Sequence, residues 1–145
     1  MQRTLILIRG LPGSGKSSFG EHCADRMIAA DDYFMVDGEY KFDPSKLPQA
    51  HAMCQQTARD LLSSSDTTVV ANTFSCRWEM EPYFEIARTL EVRVFVIDMF
   101  DGGLTDEELE ERNVHGVPLA GIKAMRERWE HEWKMGDPRP PWERG

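Results

Sequence analysis

The sequence predicts an α/β fold in three layers, with helices on both faces of a parallel sheet. Short apolar segments rich in β-branched residues alternate along the chain with longer segments of helical periodicity. Such sheets bind ligands at the carboxyl ends of their strands. The length of 145 residues and the hydrophobic content of 41% fit one domain with its own core.

Four apolar segments are predicted to form the strands of this sheet. Their continuous apolar character is typical of strands that are buried on both faces. They cover residues 3–10, 26–30, 67–72 and 91–100.

The first three helices are predicted from periodicity and from start signals. One begins at about Lys16, with Phe19, Cys23 and Met27 on one face. A second follows the Asp43-Pro44 start signal, and a third covers about residues 78–90. The Asp37-Gly38 pair predicts a turn between the first two of these helices.

Two more helices are expected near the end of the chain. Thr105 and Glu108 have the spacing of a capping box for a short acidic helix. Pro118 opens a last helix, and Trp129 and Trp133 lie at core spacing on it. Residues 1–134 are therefore expected to form one domain and residues 135–145 an irregular tail.

The stretch "GLPGSGKS", residues 10–17, fits the pattern G-x-x-x-x-G-K-[ST] without a mismatch. Its glycines let the backbone turn tightly, and the following helix start favours anions. Lys16 is expected to reach the β- and γ-phosphates of ATP, and the Ser17 hydroxyl to bind Mg²⁺. The sequence therefore predicts a P-loop NTPase or kinase fold. The expected nucleotide contacts are Gly10, Leu11, Pro12, Gly13, Ser14, Gly15, Lys16, Ser17 and Ser18.

Two adjacent acids, Asp31 and Asp32, follow the second predicted strand, which we expect to end beside the first. A carboxylate there would face the γ-phosphate and could accept the proton of an attacking hydroxyl. Alternatively, the pair caps a helix or binds a hydrated metal ion. Spacing alone does not choose between the two acids.

Three further features each have two interpretations. Arg112 is either a lid arginine that stabilises transition-state charge or an i,i+4 partner of Glu108. Asp98 either serves the metal indirectly or caps a loop. Several aromatic residues either stack nucleic-acid bases or pack in the core. They are Tyr33, Phe34, Tyr40, Phe42 and Phe74.

Composition disfavours several classes of protein. The net charge of −8 disfavours broad, nonspecific binding to nucleic acid. Three widely spaced cysteines support neither a zinc site nor a disulfide framework, and we expect three reduced, buried thiols. No apolar run has the length of a membrane helix, so a cytoplasmic protein without a membrane partner is the expectation.

Taken together, the motifs resemble the polynucleotide-kinase-like P-loop kinases, a family that includes the bacteriophage 5′-polynucleotide kinase. The matching stretches are "RGLPGSGKSS", "DDYF…DGEYKFDPSKL…AH", "VVANTFSCRWEMEPY" and "ELEERNVHGVPLAGIKAMRERWEH". The resemblance implies that Asp31 is the general base and that Asp32 orders the loop. It also implies that Arg112, in a lid at about residues 101–117, contacts the donor phosphates and that Val117 and Pro118 lie near the adenine.

The chain departs from this family pattern on the acceptor side. The phage enzyme has arginines around its D-D-Y element, where this chain has Ala30 and Phe34. Relatives have an acid after the third strand, where this chain has residues 71–74, "ANTF". The resemblance thus implies an ATP-dependent kinase that acts on a 5′-hydroxyl end, a nucleotide or a hydroxymethylated base in DNA. The alternative is a noncatalytic ATP-binding module.

Overall fold

A four-stranded parallel sheet, in the order β2-β5-β1-β6, forms the centre of the computed structural model, which describes residues 3–145. The strands are β1 (Thr4–Gly10), β2 (Met27–Ile28), β3 (Met35–Val36), β4 (Glu39–Tyr40), β5 (Thr67–Asn72) and β6 (Arg93–Phe100). The helices are α1 (Lys16–Glu21), α2 (Leu47–Leu62), α3 (Arg77–Leu90), α4 (Asp106–Arg112) and α5 (Leu119–Arg128). Single turns of 3-10 helix cover Ala30–Phe34, Pro44–Lys46, Trp133–Met135 and Pro141–Glu143.

Helices cover both faces of the sheet, which confirms the predicted fold class. On β1, Leu5 and Leu7 point to the face covered by α2 and α3. Ile8 points to the opposite face, where it packs with residues that follow α1. Because side chains alternate along a strand, an apolar run such as β1 supplies both cores.

Strand β5 lies between β1 and β2, so the expectation that the second strand ends beside the first was wrong. Strand β2 is also shorter than predicted. The amides of Ala29 and Ala30 turn away from the sheet because they donate to Asp32 Oδ2 at 3.0 Å and to Asn72 Oδ1 at 2.8 Å. The chain therefore enters a 3-10 turn in place of a longer strand.

Two helix predictions also need correction. Helix α1 ends at Glu21, and Phe19 is exposed because Gly20 faces the sheet instead. A Cβ atom at Gly20 would meet Met27 Sδ at 2.5 Å, so the sheet leaves no room for a side chain there. Helix α5 ends at Arg128, and Trp129 is buried in extended backbone rather than on the helix.

The local signals for turns and caps are confirmed. Asp37 and Gly38 have φ values of 50° and 81°, as a two-residue type I′ hairpin between β3 and β4 requires. Asp43 Oδ1 accepts a hydrogen bond from the Ser45 amide at 3.0 Å. Thr105 and Glu108 form a reciprocal capping box at the start of α4.

The guanidinium of Arg9 is fully buried at the carboxyl end of β1. It donates to the carbonyls of Phe74 at 3.0 Å, Ser75 at 2.9 Å and Glu130 at 2.9 Å. It also pairs with Asp98 Oδ2 at 2.9 Å. Its central carbon lies 4.0 Å from the centre of the Trp129 ring. Helix α5 therefore ends where the chain turns to bring Trp129 and the Glu130 carbonyl to this cation.

We predict that Arg9→Met will lower the free energy of unfolding by about 3–5 kcal/mol, because it leaves Asp98 and three carbonyls without their donor. Urea unfolding of the variant measures this loss. The matched control is Arg59→Met, which changes an exposed arginine on α2 and should shift stability by less than about 0.5 kcal/mol. Equal stability of the two variants would contradict the role assigned to Arg9.

Candidate functional site

The loop between β1 and α1 is held at the carboxyl edge of the sheet by backbone hydrogen bonds. The Leu11 amide donates to Phe100 O at 2.8 Å, and the Gly10 amide donates to Thr73 O at 3.2 Å. Gly13 and Gly15 have φ values of 84° and 99°, which side chains rarely tolerate. The loop therefore keeps its backbone close to any ligand at this edge.

Lys16 folds back over this loop. Its ammonium donates to the carbonyls of Gly10 at 2.8 Å and Leu11 at 3.1 Å. Burial lowers the pKa of Lys16 to about 8, and the negative charge of Asp31 opposes this shift. Within residues 3–145, Lys16 forms no ion pair with a carboxylate. A buried cation without a directly paired anion fits a site for phosphate.

The two adjacent acids have different environments. Asp31 Oδ1 accepts a hydrogen bond from the Tyr40 hydroxyl at 3.1 Å, and its other oxygen lies 3.5 Å from His115 Nε2. Burial, followed by the charge of Asp31 and their hydrogen bond, raises the pKa of Tyr40, which keeps this hydroxyl a donor. Asp32 accepts from the Ala29 amide and closes the turn that carries Asp31.

Asn72 supports the same turn from the end of β5. Its side chain is buried, with Oδ1 bound to the Ala30 amide and Nδ2 lying 3.9 Å from Cys54 Sγ. The sequence comparison treated this asparagine only as a departure from the family pattern. Its buried amide in fact fixes the position of Asp31 relative to the sheet.

The other departures, Ala30 and Phe34, are both buried. The Phe34 ring packs edge-on against Tyr33, Tyr40 and Phe42, with centroids 5.5, 6.2 and 5.1 Å away. Phe74 is also buried and packs on Tyr83. The packing interpretation therefore holds for Phe34 and Phe74.

Phe42 differs because half of its surface is exposed. Its ring is parallel to that of Tyr40, with 6.4 Å between centroids. It lines a cavity of about 510 Å³ together with Tyr33, Lys41 and Lys46. This cavity offers aromatic surface and two ammonium groups beside the turn that carries Asp31.

Residues 101–117, the expected lid, lie against the phosphate loop. Leu109 of α4 is buried with Leu11 and Ile122. A side chain at Gly13 would collide with the Leu109 carbonyl, so the two backbones are in direct contact. Arg126 of α5 binds Asp101 at 2.8 Å and Asp106 at 2.7 Å, which fixes the start of this segment.

Arg112 is exposed in the last turn of α4. The predicted alternative, an ion pair with Glu108, does not form among the described residues. Val117 is held by Asn113, whose side chain accepts from the Val117 amide at 2.9 Å and donates to the Val117 carbonyl at 3.1 Å. Val117 also packs against the cluster that contains Leu11, on the donor side of the loop.

Two residues near the site were missed by the sequence analysis. Arg9 carried a signal, because a charged residue inside a buried strand must find partners. Its partner Asp98, for which the sequence analysis predicted a loop cap or an indirect role at the metal, pairs with Arg9 at 2.9 Å. The sequence did not indicate a role for His115, because a single histidine in a polar loop has no spacing that is diagnostic of a functional site. Its ring contacts Tyr40, with 4.3 Å between centroids.

Ser17 is the residue here that fits a magnesium ion. Its side chain is exposed at the start of α1, directly after Lys16. Mg²⁺ in nucleotide sites commonly takes one or two protein ligands and completes its shell with phosphates and water. Across residues 3–145, no group of three or more histidines, cysteines or acids is arranged to hold a metal.

Two expectations from composition concerned the cysteines and the absence of a membrane-spanning segment. All three cysteines are free, but only Cys54 is buried, whereas Cys23 and Cys76 are half-buried. In the described part of the chain, every helix is too short or too polar to cross a membrane.

Comparisons with known proteins agree with this architecture. A family model described as an AAA domain matches residues 5–131. Human NEDD4-binding protein 2 is 32% identical over 133 residues, which is 87% of this chain but 8% of that protein. A chain of the Pnkp1/Rnl/Hen1 RNA repair complex superposes with a TM-score of 0.65 at 20% identity, over 96% of this chain and 48% of the other.

A gluconokinase from Sinorhizobium meliloti superposes with a TM-score of 0.53 at 19% identity, over 95% of this chain and 78% of the other. At these identities the solved structures establish the fold alone. The chain also spans a small part of its longer relatives, so their activities do not transfer directly. The family match over residues 5–131, with the phosphate loop in place, shows that the chain belongs to this AAA-domain family and has a P-loop kinase-like fold.

Proposed function

We propose that this domain transfers the γ-phosphate of ATP to a hydroxyl group of a nucleic acid or nucleotide. The observation that carries the proposal is the placement of Asp31 and Lys16 at one edge of the sheet. Asp31 lies in the turn after β2 and Lys16 begins the helix after β1, both at the carboxyl ends of parallel strands, and the charge of Asp31 opposes the lowering of the Lys16 pKa by burial. A phosphate-binding cation and a basic carboxylate that face the same space are the two groups a kinase needs.

The chemistry assigns one task to each group. The acceptor hydroxyl attacks the γ-phosphorus and gives its proton to the Asp31 carboxylate, while the bond to the β-phosphate oxygen breaks and ADP leaves. Lys16 and Arg112 stabilise the charge on the transferring phosphoryl group. Ser17 would hold Mg²⁺, which supplies further positive charge at the β- and γ-phosphates when it is bound.

The surroundings of Asp31 support an aromatic acceptor such as a nucleobase. The exposed face of Phe42 and the cavity beside it offer a stacking surface, and Lys41 and Lys46 offer charge for phosphates. One of the solved neighbours belongs to an RNA repair complex. A 5′-hydroxyl end and a hydroxymethylated base in DNA both fit these features. Labelled ATP with a panel of both acceptor types, and of free nucleotides, tests the proposal.

We predict that ATP with Mg²⁺ will raise the melting temperature, because a ligand at about 100 times its Kd adds roughly 2.7 kcal/mol to the folded state. Lys16→Ala should abolish most of this rise, whereas Lys123→Ala, which changes an exposed lysine on α5, should leave it intact. Thermal unfolding with and without ATP·Mg²⁺ measures both effects. No rise in the wild type would refute the nucleotide site.

We predict that Asp31→Asn will lower the rate of phosphoryl transfer by about 10²- to 10⁴-fold, because the amide cannot accept the proton. The ATP-induced rise in melting temperature should remain. Asp32→Asn is the matched control: it should transfer phosphate nearly normally and change stability little, because the amide oxygen can still accept from the Ala29 amide. Transfer that survives Asp31→Asn and fails with Asp32→Asn would reverse the assignment. Wild-type protein that binds ATP but transfers to no acceptor would favour the noncatalytic module.

We predict that Arg112→Ala will lower kcat by about a hundredfold or more, because this arginine is exposed on the lid and would stabilise charge on the transferring phosphoryl group. Stability should change little. Glu111→Ala, an exposed neighbour in the same turn, serves as the control. An unchanged kcat in Arg112→Ala would leave it as a surface residue.

A further inference from the structure

His115 connects the lid to the carboxylate of Asp31. It lies in the loop between α4 and α5, while Asp31 lies in the turn after β2. Its Nε2 atom is 3.5 Å from Asp31 Oδ2. Its ring rests on Tyr40, the residue that binds the other oxygen of the same carboxylate. Asp31 is therefore contacted on one oxygen from the hairpin and on the other from the lid.

The loop that carries His115 is ordered by Asn113. The Asn113 side chain donates to the carbonyl of Glu110 at 2.9 Å and makes two hydrogen bonds with the backbone of Val117. His115 lies between these anchors, and its ring is about two-thirds buried. Its neighbour Val114 is 84% exposed, so the loop turns the histidine inward and leaves the valine in solvent.

The hydrogen-bonding pattern favours one tautomer of this imidazole. Nδ1 is buried and has no partner among the described residues. A proton on Nδ1 would be an unpaired buried donor, which costs about 1–3 kcal/mol. The neutral ring therefore carries its proton on Nε2, the nitrogen that faces Asp31. At 3.5 Å the distance from His115 Nε2 to Asp31 Oδ2 is longer than that of a good hydrogen bond.

We infer that His115 is a positioning residue that orients the Asp31 carboxylate when the lid is closed over the nucleotide. The inference rests on the proposed function of Asp31 as general base. Tyr40 and His115 hold one oxygen each, so the carboxylate plane is set by the hairpin and the lid together. Besides His115, the titratable groups near Asp31 are Tyr40, Lys16 from α1 and His51 from α2, and the charge of Asp31 affects the pKa of each of these three. Of these groups, His115 alone belongs to the lid.

Two substitutions distinguish the role of the His115 N–H donor from the role of its aromatic ring. His115→Phe keeps a ring on Tyr40 and removes the N–H group, whereas His115→Gln keeps an N–H of similar reach and removes the ring. We expect His115→Phe to lower kcat for transfer by about tenfold, because small misplacement of a reacting group is costly. The KM for ATP and the ATP-induced rise in melting temperature should not change. His115→Gln should recover most of kcat, and Val114→Ala should match the wild type.

A double variant tests whether His115 acts through Asp31. If it does, His115→Phe should cause no further loss in an Asp31→Asn background, because the two changes remove one unit. A full additional tenfold loss would show that His115 acts independently and would overturn the inference. So would a His115→Phe variant with wild-type kcat, provided that Asp31→Asn is impaired.

Nitrogen NMR of the imidazole provides a readout that does not need transfer activity. The neutral His115 ring should carry its proton on Nε2 in both the wild type and Asp31→Ala, because Nδ1 stays buried, but the Nε2 and Hε2 signals should shift when the substitution removes the carboxylate that they face. Val114→Ala should keep the wild-type pattern. An Asp31→Ala spectrum with unchanged His115 signals, in a variant that still melts cooperatively, would refute the contact. If no acceptor is phosphorylated, the proposed function fails, and this measurement still decides whether His115 holds Asp31.

Discussion

The buried guanidinium of Arg9 is the contact on which the ligand edge of the sheet depends. A buried cation is tolerated when its donors are satisfied, and here one side chain reaches a carboxylate and three carbonyls. These acceptors come from the segment after β5, from β6 and from the chain after α5. Because Arg9 directly precedes Gly10, its contacts also fix the first residue of the phosphate loop. Arg9 thus anchors three features at once. They are the phosphate loop, the end of β5 that supports Asp31, and the end of α5.

The lid depends on this anchor through the cluster around Trp129. Trp129 covers Arg9 on one side and packs with Leu109 and Leu11 on the other. The helix that carries Arg112 is therefore fastened to the phosphate loop by apolar contacts, and the loop after it carries His115 to Asp31. The groups expected to contact ATP and the groups expected to contact the acceptor are consequently carried by the same packed unit of the fold. A movement of α4 relative to the loop would change the surroundings of both the phosphate loop and Asp31.

The features predicted correctly from sequence are those set by a few neighbouring residues. The glycine-rich loop, the Asp37-Gly38 hairpin and the capping box of α4 each follow from local backbone preferences. The errors arose where distant contacts decide. Asn72 shortens β2, and Arg9 ends α5 by drawing in Glu130. Strand order was wrong because chain order does not fix which strand lies between β1 and β2. The contact of His115 with Asp31 depends on the whole lid, so no local pattern revealed it.

The residues on the expected acceptor side that depart from the family pattern are structurally compatible with one another. Phe34 forms an aromatic floor under Tyr40 and Phe42, at a place where the phage polynucleotide kinase has an arginine. Asn72 has both an acceptor and a donor, so it can bind the Ala30 amide and approach Cys54, whereas a carboxylate could only accept. The floor is therefore apolar and neutral where the family pattern has charged residues. For the proposed kinase, such a surface would bind an acceptor by stacking and leave phosphate contacts to the exposed lysines, Lys41 and Lys46, at the rim of the cavity. Acceptor choice by the proposed kinase would then depend more on the base that carries, or lies beside, the reacting hydroxyl than on contacts to the acceptor's phosphates.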